Sequence, residues 1–246
     1  MTSISAMLVV LVTAAAATSG VAAELISGDV LASFRPVDGW RVVGQVDAVP
    51  GENRFVVRED EAGGSPVLLN CETHEKIPAL LTKDEYGDVE VCLEFCIPKN
   101  SNSGVFLMGR YEIQILDSSR KGANVTSSDL GGIYQRWRSE KDAEAYGGVR
   151  GYDGSAPLVN ASRPPGEWQE MRIVFRAPRF GSDGKKIKNA VFELVEVNGQ
   201  VVQKDAEVEG PTRGRDRRGE VAAGPLDIQG NHGPIAIRSL IVRSLD

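Results

Sequence analysis

Residues 101–118 read SNSGVFLMGRYEIQILDS, and their alternation decides the fold. Counted by twos along one strand, Val105, Leu107, Tyr111, Ile113 and Ile115 fall on one side. Phe106, Met108, Arg110, Glu112, Gln114 and Leu116 fall on the other. Successive side chains of a strand point to opposite faces, so the odd-numbered set can line a core while the even-numbered set faces away from it. A face turned only to water would carry Lys, Thr, Ser and Glu. Here Arg110, Glu112 and Gln114 are bracketed by Phe106, Met108 and Leu116, the composition of a partly sheltered groove.

The same short-period pattern recurs on both sides of this stretch. FVVRED (55–60), PVLLNC (66–71), DVEVCLEFCIP (88–98), GGIYQRW (131–137) and EWQEMRIVFRAP (167–178) read as strands. So do AVFELVEV (190–197), QVVQK (200–204), PLDIQ (225–229) and IAIRSLIVRSL (235–245). Asn198-Gly199, flanked by apolar alternation, predicts a tight hairpin. TKDEYGD (82–88) reads as a turn or half-helix, and no stretch holds a 3.6-residue apolar stripe beyond two turns. Many short strands without alternating helices predict one all-β domain, a sandwich or jelly roll. Two long irregular stretches, 136–157 and 209–224, are the loops on which such a scaffold can carry function.

Residues 7–17, MLVVLVTAAAA, form an apolar run too short to span a bilayer, followed by small residues ending in Val21-Ala22-Ala23. The pattern predicts a signal peptide over 1–23, a cut before Glu24 and an exported, periplasmic or extracellular domain over 24–246. No cysteine follows the run, so no lipid anchor is expected. The formal net charge is −6. Arg213, Arg215, Arg217 and Arg218 cluster beside Asp216 and Glu220, which reads as a solvated loop rather than a nucleic-acid surface. Of the three cysteines, Cys92 and Cys96 lie four apart on one strand face. That places their Cα atoms about 13 Å apart, too far to bridge, while Cys71 could pair with either. No cysteine has the spacing of a metal site or of a thiol nucleophile.

Beyond these local readings, LLTKDEYGDVEVCLEFCIPKNSNSGVFLMGRYEIQILDS (80–118), GGIYQ (131–135), VNASRPPGEWQEMRIVFRAPRF (159–180), VNGQVV (197–202) and GPLDIQGNHGPIAIRSLIVRSL (224–245) occur in a telling order. Together they resemble the 3-keto-disaccharide hydrolase domain family over nearly all of the chain beyond residue 23. The resemblance implies a concanavalin A-like jelly-roll β-sandwich of two antiparallel sheets, acting on oxidised sugars in exported bacterial proteins. Two departures stand out: a longer loop after Tyr134, and Gly230-Asn231-His232-Gly233 where an acidic neighbour of the histidine is expected.

The chemistry of a 3-keto sugar suits what the strand offers. Ordinary glycosidases need two carboxyl groups across the scissile bond, and Asp117 falls on the opposite parity from Glu112. A C3 carbonyl instead acidifies the C2 proton and places the C1 leaving group β to itself, so one base and one cation suffice. Glu112 is the expected base, Arg110 the stabilising cation and His232 a donor, with Gln114, Tyr134, Trp137 and Asn160 as substrate contacts. Other roles stay open. Arg110 and Glu112 can form an ordinary same-face ion pair, Tyr134 can fill the core, and Trp137 can anchor its loop. No cofactor is predicted, and a divalent cation between Glu112 and His232 stays open. The alternative reading is a sugar-binding module without catalysis, because jelly rolls host both.

Overall fold

The computed structural model describes residues 19–58, 66–214 and 219–245. In chain order its strands are β1 (Ser19–Glu24), β2 (Arg41–Val43), β3 (Gln45–Ala48), β4 (Phe55–Arg58), β5 (Val67–Leu69) and β6 (Leu80–Tyr86). Then come β7 (Val89–Cys96), β8 (Asn102–Leu107), β9 (Tyr111–Leu116), β10 (Arg136–Trp137), β11 (Gly151–Tyr152) and β12 (Gln169–Arg176). The last six are β13 (Arg179–Phe180), β14 (Lys186–Lys188), β15 (Ala190–Val197), β16 (Gln200–Val208), β17 (Gly224–Ile228) and β18 (Ala236–Leu245). One short helix, Glu140–Ala143, is capped by the Ser139 side chain.

An eight-stranded antiparallel sheet runs β16-β15-β12-β7-β18-β5-β2, with β1 also on β18. A four-stranded antiparallel sheet, β6-β17-β8-β9, faces it. This is the jelly-roll sandwich that the spacing of short strands implied. Inward residues of β7 (Val91, Leu93, Phe95) and β12 (Met171, Ile173, Phe175) meet Val105, Leu107, Tyr111, Ile113 and Ile115 in one core cluster. Tyr111 and Phe175 cross between the sheets with ring centroids 5.3 Å apart. Burial of each such side chain contributes roughly 1.5–3 kcal/mol, so the alternation alone carries much of the sandwich's stability. A second cluster, Val43, Val46, Phe55, Val67, Leu69, Cys96 and Ala236, lies under the β3–β4 hairpin, with Trp168 partly buried against it.

The opening stretch is a hairpin rather than one strand. Met108 and Gly109 both take positive φ, 55° and 63°, and the Arg110 amide donates to the Leu107 carbonyl. Leu107 pairs with Tyr111 and Phe106 with Glu112. Three residues in the loop preserve parity, so the odd-numbered apolar side chains still share the core face. The polar face does change, because Arg110 now belongs to the turn. Residues 82–86, expected as turn or half-helix, complete β6 instead. β1, β2, β3, β11, β13 and β14 were not expected. Arg41–Val43 and Gln45–Ala48 are short, and neither gives a full period-two run.

The signal-peptide reading concerns residues 1–23, of which 1–18 lie outside the described residues, and its cut site falls within β1. Glu24 is tied into the sheet on its own account: its carboxylate accepts from the Ile26 and Leu240 amides and from Ser239 Oγ. Cys71, Cys92 and Cys96 are all free thiols. Burial pushes Cys96 up to about 12 and raises the other two, so all three stay protonated near neutral pH.

Two aspartates, Asp88 half-buried and Asp129 fully buried, brace the loops. Burial by itself would raise Asp88, but the Arg179 guanidinium, the Ala177 amide and Arg176 outweigh it and hold the carboxyl below its usual value. Burial is likewise overcome at Asp129 by Lys121, Ser118 and Thr126. Both folded values are depressed. Their stabilisation is therefore complete above the unfolded carboxyl value of about 3.9 and is lost as pH falls through the folded values. Melting temperature should hold down to about pH 4 and drop below it. An Asp129→Asn variant should show a shallower acid limb, and an identical limb in melts across pH 2–6 would refute the assignment.

Candidate active site

The outer face of the four-stranded sheet is covered, not solvated. Glu112 is 2% exposed, Gln114 5% and Gln229 5%, and Phe106 and Asp227 are fully buried. The cover includes Thr212, Arg213 and Gly214. Its amides and hydroxyl stitch it to β9: Thr212 N and Oγ1 donate to the Arg110 carbonyl, and the Glu112 amide donates to Thr212 Oγ1 at 3.1 Å. Gly214 has φ 129°, and a Cβ there would sit 3.0 Å from the Phe106 ring and 3.5 Å from a Glu112 carboxylate oxygen. The positive φ and the nearness of the Phe106 ring favour glycine here.

On the other flank, residues 131–134 extend the sheet beyond β9. Gln114 N donates to Gly132 O, Gly131 N to Gln114 O, and Tyr134 N to Glu112 O. Asp129 anchors this segment through Ser118 and Thr126. On the sheet itself, Gly104 makes room for the acid, since a Cβ there would meet Glu112 Oε1 at 2.3 Å.

Between these elements lies a cavity of about 270 Å³ lined by Asn102, Glu112, Gln114, Tyr134, Arg213, Gly214, Gln229 and His232. It combines one buried carboxylate, one guanidinium, one imidazole, three carboxamides and a phenol. Asn102 Oδ1 is buried and accepts no hydrogen bond among the described residues. His232 Nδ1 lies 2.8 Å from Asn231 Oδ1, and the tautomer decides which ring nitrogen donates. Buried side chains hold the turn that carries His232, and Ser101 Oγ donates to the Pro234 carbonyl at its end. Asn70 Nδ2 donates to the Gly230 and Gly233 carbonyls, and its Oδ1 accepts from the Cys71 and Ile235 amides.

Sequence-based expectations sort clearly against this geometry. Glu112, Gln114, Tyr134 and His232 come together. Arg110 does not join them: its Nε donates to Gly219 O and its Nη1 to Met108 O, which turns the guanidinium along the hairpin loop. The cation lining the cavity is Arg213, from the cluster read as a solvated loop. Asn160 also lies outside, donating to the Ser118 carbonyl and accepting from the Ser162 amide. Trp137 is covered by arginines rather than open as a sugar platform, and the neighbouring Tyr152 is covered likewise. Arg213 and Arg150 sit over Trp137 at 3.9 and 5.3 Å, and Arg138 sits over Tyr152 at 3.8 Å. Asn102, Gln229, Asn70 and Gly104 gave no local signal beyond lying in strand-like runs.

A second carboxylate does share the sheet face. Asp227 pairs with Phe106, which pairs with Glu112, so the Phe106 side chain stands between the two acids. Asp227 does not line the cavity. Among the described residues no group of three or more His, Cys, Asp or Glu side chains is placed to hold a metal ion. Nor is any helix there long and apolar enough to cross a membrane.

Residues 34–243 match the model of the 3-keto-alpha-glucoside-1,2-lyase-like domain. No curated protein matches the chain. Among solved structures, it is similar to a candidate glycosyl hydrolase from Parabacteroides distasonis ATCC 8503, with 24% identity and a TM-score of 0.59 over 97% of this chain and 94% of that one. A second candidate glycosyl hydrolase of the same organism shares 21% identity, with a TM-score of 0.53 over 91% of this chain and 99% of the other. At these identities the likeness speaks for the fold.

Proposed function

The chain belongs to the 3-keto-alpha-glucoside-1,2-lyase-like domain family, and from that premise we propose that it cleaves 3-keto glycosides by elimination across C1 and C2. The carrying observation is one buried carboxylate, Glu112, facing a cavity it shares with Arg213, His232 and three carboxamides. Glu112 removes the C2 proton. The electron pair moves onto the C3 oxygen, where the Arg213 guanidinium and an N–H of His232 stabilise the enolate. Collapse of the enolate expels the C1 substituent, which leaves with a proton returned from Glu112. Addition of water to the resulting enone completes net hydrolysis.

Gln114, Gln229, Asn102 and Tyr134 supply donors and acceptors for the ring hydroxyls, and the unpartnered Asn102 oxygen is an acceptor that one of them can satisfy. An ordinary two-carboxylate mechanism fits less well, because Asp227, on the far side of Phe106, does not line the cavity. The apolar run at 7–17, followed by small residues, supports the further reading that the domain works after export.

The test is incubation of purified protein with 3-keto-trehalose and 3-keto-lactose, following free glucose and, in heavy water, deuterium uptake at C2. Glucose release with exchange at C2 is expected. Absence of both across several 3-keto glycosides would remove the proposal.

Gly104 supplies a sharper check on the base. Gly104→Ala drives a methyl into the Glu112 carboxylate without changing its chemistry. A displacement near 1 Å should lower kcat by about 10²-fold. Melting temperature should fall by roughly 2–12 °C, because overpacking a buried contact costs about 1–3 kcal/mol. Native kcat in the alanine variant would show that the carboxylate's position is not critical.

A further inference from the structure

The groove cation is held from outside the groove. Arg213 is exposed at the mouth of the cavity, where a guanidinium on a flexible stem would sample many rotamers. Its amide donates to the Gln135 carbonyl at 2.8 Å, and its Cζ lies 3.9 Å from the centre of the Trp137 ring. Trp137 is itself fixed. It pairs with Gly151 in the β10–β11 ribbon, and Arg150, tied to Glu140 at 3.0 Å and to the Arg138 carbonyl at 3.2 Å, lies over the same indole. Trp137 does not line the cavity, so it has no direct hold on a ligand there.

We propose that Trp137 is a positioning residue that acts through Arg213, presenting its guanidinium to the C3 oxygen. The proposal rests on the role given to Arg213 above. It gives the long loop after Tyr134 a purpose, because that loop carries the aromatic shelf on which the catalytic cation is stacked. The indole's negative face attracts the guanidinium and narrows its conformations while leaving its edge N–H groups able to donate. Because charge on the C3 oxygen develops in the transition state, a misplaced Arg213 costs kcat and spares KM.

A double-mutant cycle on 3-keto-trehalose cleavage tests this. Trp137→Ala should lower kcat about three- to thirty-fold with KM within about two-fold, the range expected for a stacked cation. Trp137→Phe should retain most activity. Trp137→Leu, which keeps apolar bulk without a π face, should behave like the alanine variant and guards against simple loss of folding. In an Arg213→Ala background, Trp137→Ala should cost less than about two-fold more, since the residues act as one unit. A full additional loss in that background, or an unimpaired Trp137→Leu enzyme, overturns the positioning role and leaves the proposed function standing. An Arg213→Ala protein with native kcat instead removes Arg213 from the mechanism, and the inference with it.

Discussion

Glu112→Gln is expected to reduce turnover of a 3-keto glycoside by about 10²–10⁴-fold, the usual contribution of a positioned general base. The amide keeps the volume of the carboxylate beneath Gly214 and beside Gly104, so fold and ligand affinity should persist. Steady-state kinetics alongside calorimetric binding of a 3-keto sugar separates the two. Deuterium uptake at C2 should disappear with turnover, because both need the same proton transfer. A variant that still exchanges C2 hydrogen at the native rate would give the base's role to another group, His232 being next in line. A sugar-binding module without chemistry makes the opposite prediction: no turnover in the native protein, and an affinity barely changed by the substitution.

Asn70→Ala should produce the largest loss of stability. The side chain is 1% exposed and satisfies four backbone groups, two carbonyls of the His232 turn and two amides. Each buried group left unpaired costs about 1–3 kcal/mol, so a total of at least about 3 kcal/mol is expected even after some rehydration. For a domain of this size that lowers the melting temperature by roughly 6–12 °C. Activity at a permissive temperature should also fall, because the turn that presents His232 loses its anchor. His232→Ala should leave the melting temperature close to native, which distinguishes loss of the imidazole from loss of its support. An Asn70→Ala protein with an unchanged melt would show that the turn is held by other means.

What could be read in advance follows from the range of the forces involved. The period-two alternation in 101–118 assigned Val105, Leu107, Tyr111, Ile113 and Ile115 to the core, because burial acts on each side chain separately and the pleat orders them by parity. It also placed Glu112 and Gln114 on the sheltered face. Asn198-Gly199 announced the β15–β16 hairpin, since positive φ is a property of the residues themselves. Gly109 sent the same signal between Leu107 and Tyr111, but the apolar run through Met108 masked it, and Arg110 was placed on the strand instead of in the turn.

The sequence by itself therefore determined the layers of the sandwich, its core and the strand that bears the buried acid. Tertiary structure alone decided which cation lines the cavity with that acid. Arg110 is two residues from Glu112, yet its guanidinium turns along the hairpin loop, whereas Arg213 arrives from about a hundred residues away because Thr212 bonds to the Arg110 carbonyl. The same holds for Gln229 and Asn102, brought in by strand pairing, and for Asn70, whose value lies in four distant backbone groups. Alternation is a local consequence of backbone geometry and survives without knowledge of the fold. A catalytic constellation is a set of coincidences between segments that only chain closure creates.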